Sequence, residues 1–243
     1  MQESELWITR IFNDHLAGLG NWLLSLARLH PEPRPWADFV VMQLLVVALI
    51  ALAFAILRPR LSHDRPGKFQ QTLELLYEFV RGQADDQVGH DGPRHVPYFG
   101  TIFIFVLACN LIGLIPCFES PTGFAYVTCG CAMATFFYYH LVGVMALGPL
   151  RYIAHFMGPQ PLLAPLMFPI EIVSHLARPL SLTVRLYANM FAGEQVTLVF
   201  LSLTRFLIPV IFMGLHLFVG VIQAYIFMLL TMVYVAGAVT HEH

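Results

Sequence analysis

The chain has 243 residues, of which 58% are hydrophobic and 12% are charged, and its formal net charge is -2. Soluble domains carry about 25% charged residues, so this composition favours a membrane protein. Lys68 is the only lysine and the sequence has no basic patch, which argues against a nucleic-acid-binding protein.

Residues 1–36 mix apolar and polar side chains. Their acidic start lacks the basic region that opens a secretory signal, so we expect no cleaved signal peptide. The prolines of HPEPRP (30–35) end any helix formed there, because proline cannot continue one. We expect an extramembrane or interfacial segment.

The first membrane-spanning helix is predicted at about 38–58. Its uncharged run, 39–57, rises about 28 Å as a helix, close to the hydrocarbon thickness of about 30 Å. Six basic residues follow within 58–95, whereas FESPTG (118–123) has none. The positive-inside rule therefore predicts that 58–95 is cytoplasmic and that the N-terminus lies outside.

Within that cytoplasmic segment, residues 67–83 carry apolar side chains at helical spacing. These are Phe69, Leu73, Leu76 and Val80. Polar residues fill the other face, which is typical of a helix lying in the plane of the membrane interface.

The remaining apolar runs predict spans at about 97–117, 124–147, 162–204 and 206–240. The last run would be about 52 Å long as a helix, so it must tilt strongly. The fold class is thus all-α integral membrane, with about five membrane helices and one interfacial helix. Residues 37–243 form a single membrane domain, and the C-terminus is cytoplasmic.

The stretch EIVSHLARPLSLTVRLYANMFAGEQV (171–196) places charges inside one of these spans. Each costs at least about 2.5–3.5 kcal/mol at mid-bilayer, so each needs a partner or water. At 100° per residue, one face carries Glu171, His175, Arg178 and Arg185, with Ser174, Ser181 and Asn189 nearby.

Glu194 is expected on the opposite side of the same helix, about 13 Å beyond Arg185. In the last span, His216 and Gln223 are seven residues apart and share a face. Asn110 is expected to bond across helices. Two separated polar sets suggest two wet pathways that do not join.

An arginine cannot release its proton, so Arg185 would act as an electrostatic barrier and as a transient partner for a carboxylate. Glutamate and histidine can hold and pass protons. A simple salt bridge from Arg185 to Glu171 or Glu194 is the structural alternative.

Two other classes of protein remain as alternatives. A membrane metalloprotease would use histidine and glutamate, but the HExxH motif is absent, and EIVSH contains only one glutamate and one histidine. A small-solute transporter often shows internal repeats, and none is visible here. We expect no metal site and no cofactor.

The segment FPIEIVSHLARPLSLTVRLYANMFAGEQV resembles the signature of subunit a of bacterial F-type ATP synthase. PGKFQQTLELLYEFV, NLIGLIP, SPTG and HLFVGVIQAYIFMLLTMVYV also resemble family segments, in the same order. The resemblance runs from about residue 37 to the C-terminus.

The resemblance implies roles for individual residues. Arg185 matches the essential arginine that faces the ring of c subunits, and Asn189 and Gln223 match its polar neighbours. Glu194 and His216 match the acid–base pair of the half-channel open to the outside. Further polar positions, of secondary weight, are Glu171, His175, Arg178 and Ser181.

The implied protein is a non-catalytic subunit that carries protons to and from c-ring carboxylates, while other subunits perform the ATP chemistry. The resemblance also implies two long, tilted helices along the ring, partners of the b-type peripheral stalk, and a location in a bacterial inner membrane. No GxxxxGK[ST] motif is present. The coupling ion, H⁺ by default, is set by the ring.

Overall fold

The computed structural model describes residues 6–26, 30–61, 67–115, 118–149, 152, 164–203 and 207–239. Its α-helices in chain order are α1 (Trp7–Leu26), α2 (Asp38–Leu57), α3 (Lys68–Val88), α4 (Gly92–Ile112), α5 (Ala125–Leu147), α6 (Ala164–Leu203) and α7 (Leu207–Val239). Short 3-10 turns occupy Arg58–Arg60, Gly89–Asp91 and Pro121–Gly123. No strand occurs within these ranges.

Four stretches of the described chain are long and apolar enough to cross a membrane. They are Asp38–Leu57, Lys68–Ile112, Ala125–Leu147 and Ile208–Val239. The helical content and these stretches confirm the predicted class, an all-α integral membrane protein. The stretches do not include α6, which carries four charged residues along its length.

Two helices, α3 and α4, differ by several residues from the bounds expected from the sequence. The helix expected at 97–117 begins at Gly92 and ends at Ile112, since Pro93 is tolerated in a first helical turn. The helix expected at 67–83 continues through Gly82 to Val88. It ends at Gly89, whose φ of 77° is the left-handed conformation that glycine adopts readily.

The main hydrophobic core joins five helices, α3 to α7. Its largest fully buried side chains include Phe99 of α4, Tyr139 of α5, Leu186 and Met190 of α6, and Phe227 of α7. A smaller cluster, formed by Met42, Val46, Cys109 and Ile112, packs α2 against α4. The core thus fixes the rotation of α6 and α7 about their own axes.

α6 and α7 are much longer than the other helices. With 40 and 33 residues they are about 60 and 50 Å long, against a hydrocarbon thickness of about 30 Å. Both must therefore tilt or extend beyond the hydrocarbon.

Candidate functional site

The long helix α6 presents two different surfaces around its midpoint. Leu182, Leu186 and Met190 are buried in the core, whereas Arg185 and Asn189 are exposed. The guanidinium of Arg185 therefore lies on the outer surface of the folded chain. A permanent charge in that place needs water or another protein beside it.

A cross-helix hydrogen bond lies one turn beyond Arg185. Asn189 Nδ2 donates to Gln223 Oε1 of α7 at 2.9 Å. Gln223 is buried, so its amide is fixed by the core while Asn189 reaches the surface. No contact between these two residues was predicted from the sequence, and the structure joins them directly.

Glu194 turns toward the loop between α4 and α5 rather than toward Arg185. The backbone N–H of Ser120 donates to Glu194 Oε1 at 3.1 Å. Gly123 packs closely against the same carboxylate: a Cβ added at Gly123 would lie 3.0 Å from Glu194 Oε2. The carboxylate is thus half-buried beneath the loop 118–123.

A buried polar network supports that loop. Ser120 Oγ donates to Cys109 O at 2.9 Å and lies 2.7 Å from Thr122 Oγ1. Thr122 Oγ1 donates to Asn110 Oδ1 at 2.6 Å, and Asn110 Nδ2 donates to Gly220 O of α7 at 2.8 Å. The cross-helix bond expected of Asn110 is therefore confirmed.

Sequence reasoning missed the roles of Ser120 and Thr122. Both are completely buried although they lie in a loop that reads as a polar turn. The segment SPTG was a sufficient signal to mark the loop, but only the packing of α4 and α7 shows what its hydroxyls contact.

His216 of α7 packs next to the same region of α6. Its ring rests on Gly193, where an added Cβ would lie 2.9 Å from the ring atom Cδ2. The side chain is buried, and its Nε2 has no hydrogen-bond partner among the described residues. His216 therefore lies beside the backbone that carries Glu194.

A second polar cluster occupies the first half of α6. Glu171 Oε1 lies 3.2 Å from His175 Nε2, and His175 Nδ1 shares a hydrogen bond of 2.9 Å with Tyr139 Oη. The guanidinium of Arg178 lies 5.1 Å from the ring centroid of Tyr234 and 5.7 Å from that of Tyr139. These are cation–π contacts.

This cluster corrects the single polar stripe expected on α6. His175 is buried and Arg178 half-buried against α5 and α7, whereas Ser174, Ser181, Arg185 and Asn189 are exposed. The expected face lies at the edge of the buried surface of α6. Long side chains on this face can therefore point either into the core or toward the exterior. Tyrosine rings hold Arg178 on the inner side.

The described residues contain no group of three or more His, Cys, Asp and Glu that could hold a metal ion. The polar side chains of the site instead form two sets, around Glu194 and around His175, with Arg185 exposed between them along α6. Fold and site define a multi-pass membrane protein with charged side chains along one of its long helices.

Comparisons with known proteins agree on one family. A family model described as ATP synthase A chain matches residues 40–236. The chain is 66% identical to ATP synthase subunit a of Solibacter usitatus (strain Ellin6076) over 233 residues, which cover 96% of this chain and 100% of that protein. It is 46% identical to ATP synthase subunit a of Koribacter versatilis (strain Ellin345) over 241 residues, 98% of each.

The chain therefore belongs to the family of ATP synthase subunit a. This confirms the family that the sequence motifs indicated. It is a non-catalytic subunit of the F0 sector of an F-type ATP synthase, whose catalytic activity lies in other subunits.

Proposed function

We propose that this chain is the stationary proton channel of the rotary motor, with two offset half-channels that serve a ring of c subunits. One observation carries the proposal. Arg185 is exposed near the middle of α6, while Glu194 on the same helix turns away from it to the loop 118–123.

The surface around Arg185 is assigned to the c-ring. Within two helical turns of the guanidinium, the exposed positions on this side of α6 are Ser181, Ala188, Asn189 and Ala192. Small side chains let two membrane helices approach closely, so a ring helix could bring its carboxylate near Arg185. The bond from Asn189 to buried Gln223 would keep this surface in register with α7.

The half-channel that takes up protons is assigned to Glu194 and His216. Basic residues are concentrated in 58–95 and absent from 118–123, which favours an outer position for the loop 118–123. This loop contacts Glu194 directly. The carboxylate and the adjacent imidazole can both hold a proton and pass it on. Protons would thus reach the ring from outside.

The half-channel that releases protons is assigned to the other end of α6. Glu171 has a side chain 37% exposed, and it connects through His175 to buried Tyr139. Arg178 would orient this cluster through its tyrosine contacts, and Ser181 lies between the cluster and Arg185. These four α6 residues carry secondary weight in the proposal.

Arg185 separates the two paths in this mechanism. Its permanent positive charge keeps a passing ring carboxylate ionised and repels protons that would cross directly. A neutral, protonated carboxyl can instead rotate through lipid for nearly a full turn. Each proton that moves through 100 mV releases about 2.3 kcal/mol, which drives rotation.

The surroundings of the channel follow from the same proposal. Residues 37–243 form one membrane domain in a bacterial inner membrane, with the N-terminus outside and the C-terminus in the cytoplasm. α3 lies in the cytoplasmic interface, and α6 and α7 tilt along the ring. Partners are the c-ring and the b-type peripheral stalk, with H⁺ as the coupling ion.

Disulfide cross-linking tests which side of α6 faces the ring. The four native cysteines are first replaced, and single cysteines are placed at 185, 189 or 194, each with a cysteine on the c subunit. We expect cross-links from 185 and 189 and none from 194. A cross-link from 194 as strong as that from 189 would overturn the assignment.

A further inference from the structure

The N-terminal helix α1 contains none of the residues assigned to the proposed proton path, yet hydrogen bonds attach it to the membrane domain. The backbone N–H of Leu6 donates to Asp38 Oδ1 at 3.2 Å, at the first residue of the spanning helix α2. Leu6 also packs against the cluster that contains Met42 and Cys109. The start of α1 therefore lies at the level where α2 enters the membrane.

The rotation of α1 about its axis is fixed by hydrogen bonds to the segment before α2. Asn13 Nδ2 donates to Trp36 O at 3.1 Å, and Trp36 N donates to Asn13 Oδ1 at 3.0 Å. The indole N–H of Trp36 donates to Leu16 O at 2.9 Å. At Gly20, an added Cβ would lie 2.6 Å from a ring carbon of Pro35.

The rest of the α1 surface divides into two exposed sectors. At 100° per residue, five large apolar side chains that are 48–73% exposed share one sector of about 120°. They are Trp7, Ile11, Leu19, Trp22 and Leu26; His15 and Ser25 also fall within it. Arg10 and Asp14 are exposed in the polar sector.

We propose that α1 lies along the surface of the phospholipid bilayer at the end where α2 begins, with its apolar sector in the lipid. α1 is not among the described helices apolar enough to span a membrane. A helix held at that level, with an apolar side, a polar side and an indole in each half, has the properties of an interfacial helix.

The position of α1 favours lipid over a protein as the occupant of this sector. The contact of Leu6 with Asp38 places the helix beside the hydrocarbon boundary, where lipid is the surrounding medium. Tryptophan is enriched at that depth, because its ring is apolar and its N–H is polar. Trp7 and Trp22 would anchor the two halves of the helix.

Site-specific photo-cross-linking in the intact ATP synthase, within its native membrane, tests this proposal. The photoreactive residue p-benzoylphenylalanine replaces Trp22 or Leu19 in the apolar sector, and Arg10 or Asp14 in the polar sector as matched controls. All four side chains are exposed, so the replacements leave the core intact. Complexes are purified through the catalytic head, so only assembled chains are measured by mass.

We expect a mass increase of one phospholipid, several-fold more frequent at positions 22 and 19 than at 10 and 14. Two results would overturn the proposal. One is a cross-link from position 22 or 19 to another protein subunit. The other is a phospholipid adduct at 22 and 19 no more frequent than at the polar controls.

Discussion

The side chain of Asn189 is exposed on α6 and donates a hydrogen bond to Gln223, which is buried in α7. This bond lies one helical turn from Arg185. It couples the exposed surface that carries the guanidinium to the core of the neighbouring helix. A change at Gln223 therefore acts on the Arg185 surface without touching the arginine.

Gln223→Leu tests this coupling. The substitution removes a cross-helix hydrogen bond, which in membranes contributes about 0.6–1.7 kcal/mol, and it leaves the Asn189 amide without that partner. We expect the complex to assemble and ATP-driven proton pumping in membrane vesicles to fall several-fold. Ile222→Leu, at the exposed neighbouring position, should pump normally. Equal pumping by both variants would show that the pair has no part in translocation.

Glu194→Gln tests proton transfer by this side chain separately from its structural contact with the loop 118–123. The amide oxygen of glutamine can still accept the hydrogen bond from Ser120 N, so the loop 118–123 should keep its place. The amide cannot carry a proton in the same way. We expect slower proton uptake and a marked loss of ATP synthesis at low driving force, measured in energised vesicles. Gln195→Ala, at the exposed next residue, serves as control; unchanged synthesis in Glu194→Gln would exclude the carboxylate from the path.

Gly123→Ala tests whether the position of that carboxylate matters. The new methyl group would lie 3.0 Å from Glu194 Oε2 and would force the carboxylate to move. We expect proton pumping to fall while assembly is retained. Gly130→Ala adds the same methyl group on α5, where nothing lies within 4 Å, and should be neutral. If both variants pump like the wild type, the contact between loop and carboxylate is not important.

The sequence predicted much of the fold and marked the charged residues of the candidate site. α2 and α5 begin and end within about one residue of the expected bounds, because charges, prolines and glycines delimit those apolar runs. Arg185 and Glu194 were found because charge inside a membrane span is costly. Their separation onto different sides of α6 followed from helical periodicity.

Other features of the site depend on contacts between helices, which the helical periodicity of the sequence does not predict. The bond from Asn110 to the carbonyl of Gly220 joins residues 110 positions apart, and its acceptor is backbone, which the sequence does not mark. The inward turn of Arg178 results from Tyr139 and Tyr234 on two other helices. Side-chain direction at the edge of a buried face is decided by such neighbours.

Asn110→Leu tests the energetic weight of the buried network. The leucine cannot bond to Gly220 O or Thr122 Oγ1, and buried groups left without partners cost about 1–3 kcal/mol. We expect the purified complex to lose this subunit at a lower temperature or denaturant concentration. Cys129→Ala, at an exposed position of α5, should leave the transition unchanged. A transition as high as that of the wild type would mean that the network contributes little to stability.

The most direct test of the proposed channel is ATP-driven proton pumping by Arg185→Ala in sealed membrane vesicles. Arg81→Ala, which removes an exposed arginine from α3, is the matched control. The separation of the two half-channels by Arg185 predicts that Arg185→Ala assembles but builds no proton gradient, while Arg81→Ala pumps normally. A normal gradient in assembled Arg185→Ala vesicles would contradict the barrier role of this residue.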